Sequence, residues 1–215
     1  MKGFEKYIPF VPQPIQNRTW PDNTITKAPI WCSVDLRDGN QALVDPMNVE
    51  EKLLLFHTLV DIGVKEIEVG FPSASETEFH FLRTLIEDGH IPDDVTIQVL
   101  VQARPHLIRR TFEAIEGCKH VIFHFYNSTS TLQRKVVFHT DVEGVQKIAT
   151  DAATMIYEMS QPMIAAGADI RYEYSPESFM GTEMDYAVEI CQAVLEHLHA
   201  TPENKVILNL PSTVE

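Results

Sequence analysis

The chain has 215 residues, 44% hydrophobic and 22% charged, and a formal net charge of −14. That length supports one substantial core, and the apolar content is ordinary for a globular domain. With 17 Lys and Arg against 31 Asp and Glu, and no basic run, a nucleic-acid partner is excluded, because such binding rests on clustered cations.

The N-terminus (Met1 to Tyr7) is charged and lacks an apolar centre, so it is not a secretory signal, and no apolar stretch approaches the ~20 residues of a membrane span. Residues 1–29 read as an extended lead-in, broken by Pro9, Pro12, Pro14 and Pro21. From residue 30 to 215 strand and helix patterns alternate. Strands are expected at 30–36, 65–71, 96–102, 120–126, 169–175 and 205–210, each short and rich in β-branched or aromatic residues. Helices are expected at 49–62, 76–88, 106–116, 141–165 and 182–198. In the first, Leu53, Phe56, His57 and Val60 fall at helical spacing, with Leu55, Leu59 and Ile62 widening the face. Asn48 and Glu51 form a capping box ahead of it. Gly63, Gly117 and Gly167 sit where C-caps belong. Met155, Met159 and Met163 recur every fourth residue, as a core stripe does. Cys32, Cys118 and Cys191 are far apart with no CxxC pair, which points to reduced thiols in a cytoplasmic protein rather than a disulfide framework or zinc site.

Repeated βα units imply a parallel sheet with right-handed crossovers. An open doubly wound sheet and a (β/α)8 TIM barrel both fit. No glycine-rich phosphate loop follows the first strand. Polar residues instead gather at the ends of several strands: Arg37 and Asp38, Ser73, Gln102, His124 and Tyr126, Ser175 and Glu177, Ser212 and Thr213. Catalytic groups drawn from many strand ends are the habit of a barrel. Six strands and five helices fall short of a complete barrel, which takes about 250 residues. The expectation is a partial barrel truncated at its C-terminus.

The segment Asp35-Leu36-Arg37-Asp38-Gly39-Asn40-Gln41 carries the chemistry. A carboxylate at a strand end can hold a hard divalent cation, and the adjacent guanidinium can face charge developing on an enolate or alkoxide. Gly39 is expected to let the backbone turn away. Together with NRTWPD (17–22), KEIEVGFPSAS (65–75), FHFYNSTS (123–130), YEYSPESF (172–179) and NLPSTVE (209–215), this segment resembles the N-terminal part of the 2-isopropylmalate synthase family, of the longer type. The segments keep their order and span nearly the whole chain.

The resemblance implies a Claisen-type condensation of acetyl-CoA with 2-oxoisovalerate, giving 2-isopropylmalate and free CoA in leucine biosynthesis. It implies a divalent metal (Mg, Mn or Zn) chelated by the keto acid, and a homodimer. Carried over by position, Asp38 is a metal ligand and Arg37 stabilises the negative oxygen formed on condensation. Gln41 lies near the reacting acyl group. Glu177 handles a proton. His124, Tyr126, Ser175 and Thr213 bind the keto acid. The family also uses a His-x-His metal pair. His197-Leu198-His199 has that spacing, but it follows a helical run and precedes the NLPSTVE strand, so it reads as a helix end. The genuine pair is then expected beyond Glu215, along with the leucine-binding regulatory domain. Homocitrate and citramalate synthases are sibling alternatives. A naturally short, non-catalytic pseudo-subunit is the alternative from another class.

Overall fold

The computed structural model describes residues 26–213. The chain divides into two compact units, 1–30 and 31–215. Most of the expected lead-in, residues 1–25, lies outside the described residues. The second unit holds all the regular structure among the described residues.

Six strands form one sheet in the order β1 to β6: β1 (Cys32–Ser33), β2 (Glu66–Gly70), β3 (Thr96–Gln102), β4 (His120–Ser128), β5 (Asp169–Glu177) and β6 (Val206–Leu208). Every neighbouring pair is parallel. A doubly wound sheet would reverse its strand order part-way. Here the order never reverses, so each right-handed crossover steps the same way and the helices collect on one face. Helices α1 (Val49–Asp61), α2 (Glu76–Glu87), α3 (Pro105–Ile115), α5 (Val142–Ala165) and α6 (Met184–His197) pack neighbour on neighbour in that order. The result is an arc of a (β/α)8 barrel. A short turn, α4 (Thr131–Gln133), runs directly into the helical turn Arg134–Phe138.

Strand periodicity divides the residues between two faces. Ile67 and Val69, Ile97, Val99 and Val101, Val121, Phe123 and Phe125, and Ile170, Tyr172 and Tyr174 point to the helices and make the core. The alternate positions carry Glu66 and Glu68, Gln98 and Leu100, His124 and Tyr126, and Glu173, Ser175 and Glu177, on the inner face of the arc. The Met155, Met159 and Met163 stripe packs against the core as expected. Gly63, Gly117 and Gly167 adopt φ of +96°, +82° and +100°, the left-handed conformation that closes a helix end without a Cβ penalty.

Three details of the sequence reading are corrected. The first strand ends at Ser33 because the Val34 carbonyl accepts the N–H groups of Arg37, Asp38 and Gly39, winding the chain into a wide helical turn, Asp35–Gly39. Gly39 therefore turns within a helical conformation and uses no positive φ, and buried Leu36 anchors the turn. On α1 the inward face is Lys52, Phe56 and Leu59, whereas His57 and Ile62 face solvent. His57 packs edge-on against His90 instead.

The Asn48 capping box is present in full: Asn48 Oδ1 accepts the Glu51 N–H at 3.0 Å, and Glu51 Oε2 accepts the Asn48 N–H at 2.9 Å. Replacing Asn48 with alanine is expected to cost about 1 kcal/mol, read as a lower urea midpoint with unchanged m-value. A glycine at the same place is expected to cost only a few tenths.

Candidate active site

A cleft of about 510 Å³ opens at the carboxyl ends of the strands, and all eight residues expected from the sequence line it: Arg37, Asp38, Gln41, His124, Tyr126, Ser175, Glu177 and Thr213. They come from the turn after β1, from β4, from β5 and from the segment after β6. Parallel register explains the convergence. His124 pairs with Glu173, Tyr126 with Ser175 and Ser128 with Glu177, so inward side chains of β4 and β5 form adjacent rows.

Arg37 and Asp38 form an ion pair at 2.9 Å. An exposed pair of this kind contributes little by itself. Arg37 is fixed by a second contact, Nε to the carboxylate of Glu68, whose side chain is only 1% exposed. Burial alone would raise the Glu68 carboxyl, but the His124 hydrogen bond and the Arg37 guanidinium hold it below the usual carboxylate range. His124 is buried, with Nδ1 3.1 Å from Glu68 Oε2 and Nε2 2.7 Å from Ser175 Oγ. Ser175 Oγ also receives Asn209 Nδ2 at 2.9 Å. Glu173 Oε1 lies 3.5 Å from His124 Nε2. Its carboxyl is pushed up, chiefly by burial.

Nearer the mouth, Glu177 Oε2 accepts the Ser128 hydroxyl. Tyr126 packs edge-on against Phe71. Burial first, and the Glu177 charge next, raise the Tyr126 phenol, so it stays a hydrogen-bond donor at neutral pH. Thr213 Oγ1 accepts the Ser178 N–H at 3.1 Å, which leaves its hydroxyl hydrogen to donate.

Asp38 suits one position of a hard-cation site, with its side chain 62% exposed. Among the described residues, however, no three His, Cys, Asp or Glu side chains stand where they could share a metal ion. The described donors do not complete a metal site. His197 and His199 supply no pair. His197 is the last residue of α6, with Nδ1 against the Ala193 carbonyl, and His199 lies against Tyr157.

The sequence reading missed Glu68, Gln98 and Glu173 beneath the cleft and Phe71, Leu100 and Asn209 in its wall. A signal existed for the first three. Each is a polar side chain flanked on both sides by core residues of its strand, at an inward position where burial demands partners.

The profile of the HMGL-like family matches residues 28–215. The chain belongs to the HMGL-like family. It is 61% identical over 210 residues to 2-isopropylmalate synthase from Rhizobium johnstonii, an alignment covering 98% of this chain and 37% of that protein. It is 58% identical over 212 residues to the synthase of the same name from Clostridium acetobutylicum, covering 99% and 38%. The chain thus spans a little over a third of the length of these relatives. Among solved structures, the HMG-CoA lyase of Bacillus subtilis superposes with a TM-score of 0.52 at 16% identity, over 82% of this chain and 55% of that one. That likeness supports the barrel fold. No helix among the described residues is long and apolar enough to cross a membrane.

Proposed function

We propose that this chain carries the N-terminal part of the catalytic barrel of a 2-isopropylmalate synthase, joining acetyl-CoA to 2-oxoisovalerate. The observation that carries the reading is the meeting of eight residues from the carboxyl side of the sheet in one cleft, in a chain 58% to 61% identical to proteins of that name.

The residues divide the work by their chemistry. Thr213, Tyr126 and Arg37 offer hydrogens to the keto-acid carboxylate and keto oxygen. His124 and Ser175 form the polar floor, while Phe71 and Leu100 give the branched side chain apolar contact. Glu177 takes a proton from the acetyl methyl group, with one carboxylate oxygen held by Ser128 and the other left to act. Gln41 lies beside the acyl group. The carbanion equivalent adds to the keto carbon, forming the carbon–carbon bond, and the keto oxygen becomes an alkoxide that Arg37 stabilises. The alkoxide takes up a proton, and water then cleaves the thioester, releasing CoA and the second carboxylate.

The same reading gives Asp38 a divalent cation, held together with donors that the described residues do not supply. It makes the protein a cytoplasmic homodimer, which equilibrium sedimentation would check.

The test is CoA release by the protein carrying this chain, with 2-oxoisovalerate, 2-oxoglutarate and pyruvate in turn. Preference for the branched acid is expected. Preference for 2-oxoglutarate or pyruvate would assign the site to homocitrate or citramalate synthesis instead. Replacing Glu177 with glutamine is expected to lower kcat about 10²–10⁴-fold, as loss of a general base does, with KM for 2-oxoisovalerate little changed. A variant with wild-type kcat would remove Glu177 from the proton step.

A further inference from the structure

Glu68 has no part in the chemistry above, yet it is buried beneath the cleft and engaged on both oxygens. Its two oxygens collect donors from three elements. Oε1 receives Arg37 Nε, from the turn after β1. Oε2 receives Gln98 Nε2 from β3 at 2.7 Å and His124 Nδ1 from β4 at 3.1 Å. Gln98 Nε2 also stands 3.3 Å from His124 Nδ1, near enough to donate to that nitrogen in the opposite tautomer, so the contact with Glu68 is what selects between the two forms.

An ionised Glu68 beside a neutral imidazole sets the direction of each hydrogen bond in turn. An ionised carboxylate only accepts, so the imidazole hydrogen must be on Nδ1. In the neutral ring Nε2 is left with a lone pair. Ser175 Oγ, 2.7 Å away, therefore donates its only hydrogen to the ring. Asn209 Nδ2 in turn donates to Ser175 Oγ at 2.9 Å. The chain runs one way, from Asn209 through Ser175 and His124 to Glu68, and Glu68 ends it. At the same time its other oxygen holds the Nε edge of Arg37, leaving the remaining guanidinium hydrogens for Asp38 and the cleft.

We propose that Glu68 is a positioning residue: one buried carboxylate sets both the tautomer of His124 and the aim of Arg37, so that the cleft presents fixed hydrogens to an incoming keto acid. With its hydrogen committed to His124, Ser175 holds the imidazole rather than the substrate, and the hydrogens for the keto acid come from Arg37, Tyr126 and Thr213. Dipoles set before the substrate arrives need no reorganisation during the reaction. The catalytic consequence rests on the synthase reading, whereas the tautomer assignment rests on the contacts around His124 and an ionised Glu68.

The test is Glu68→Gln in the protein carrying this chain. Glutamine keeps the shape but replaces one acceptor oxygen with a donor, which must oppose either Arg37 Nε or His124 Nδ1. Long-range 1H–15N spectra of histidine-labelled protein, with the His124 signals identified by His124→Asn, report the tautomer directly. The wild type is expected to show the Nδ1–H form, and the variant to lose it or to lose the aim of Arg37. In either case kcat falls about 10–100-fold, as when a supporting partner is removed, with little change in KM. The Glu68→Gln and His124→Asn effects on kcat are expected to be non-additive, because they act through one network. A wild-type His124 in the Nε2–H form would overturn the proposal. So would a variant that keeps its tautomer and its kcat and loses only thermal stability. A wild type with the expected tautomer but no turnover of any keto acid would overturn the synthase reading while upholding the tautomer assignment.

Discussion

Replacing Arg37 with lysine is expected to lower kcat about 10²–10³-fold, the loss typical when one preorganised charge-stabilising donor is removed. The charge is kept, so a purely Coulombic role would survive the exchange. The geometry would not. Arg37 reaches buried Glu68 through Nε and Asp38 through Nη1 at 2.9 Å, and a planar fork can do this while still presenting hydrogens to the cleft. An ammonium is a single point, and the buried Glu68 carboxylate would draw it away from the substrate. Arg37→Ala is expected to cost stability as well, since Glu68 would lose its cation while remaining buried. The checks are kcat and KM for 2-oxoisovalerate, and a thermal midpoint for each variant. An Arg37→Lys protein with unchanged kcat would reduce the pair to surface electrostatics.

The largest stability effect is expected at Lys52, a residue that takes no part in the chemistry. Lys52 is 0% exposed, and its ammonium meets the Glu78 carboxylate of α2, with the Phe81 ring 5.2 Å away. The pair closes over the end of β2, where Gly70 has φ +150° and a Cβ would run into the Glu78 carboxylate. Removing one partner of a fully buried pair costs about 3–5 kcal/mol, and with the Glu78 side chain 17% exposed the lower end of that range applies. Lys52→Ala is therefore expected to lower the urea midpoint by that equivalent. The paired exchange Lys52→Met with Glu78→Leu is expected to restore most of it, since buried ion pairs often give little net gain over apolar packing of similar volume. A single variant with an unchanged midpoint would show that the pair is open to water.

The strands were legible where their residues alternate between core and cleft. β3 spans the expected 96–102 at both ends. β4 and β5 begin where expected but continue to Ser128 and Glu177, because those two residues still pair with each other across the sheet. The cleft residues were legible because strand ends in a parallel sheet must lie together, and the polar residues cluster there. The layer beneath was not legible. Glu68 and His124 are 56 positions apart, and nothing local reveals that register sets them on one hydrogen bond. Lys52 was hidden for a similar reason. A lysine within a helix reads as exposed until Glu78, 26 positions on, is seen to neutralise it. The short first strand escaped because a wide turn closed on one carbonyl leaves no periodic trace.

The proposed function requires these cleft residues to form one keto-acid site. A crystal structure of the protein carrying this chain with 2-oxoisovalerate bound tests it most directly. The keto acid is expected in the cleft between Arg37 and Thr213, its carboxylate on Thr213 and its branched end toward Leu100. Ordered keto acid elsewhere, with this cleft empty at saturating concentration, would contradict it.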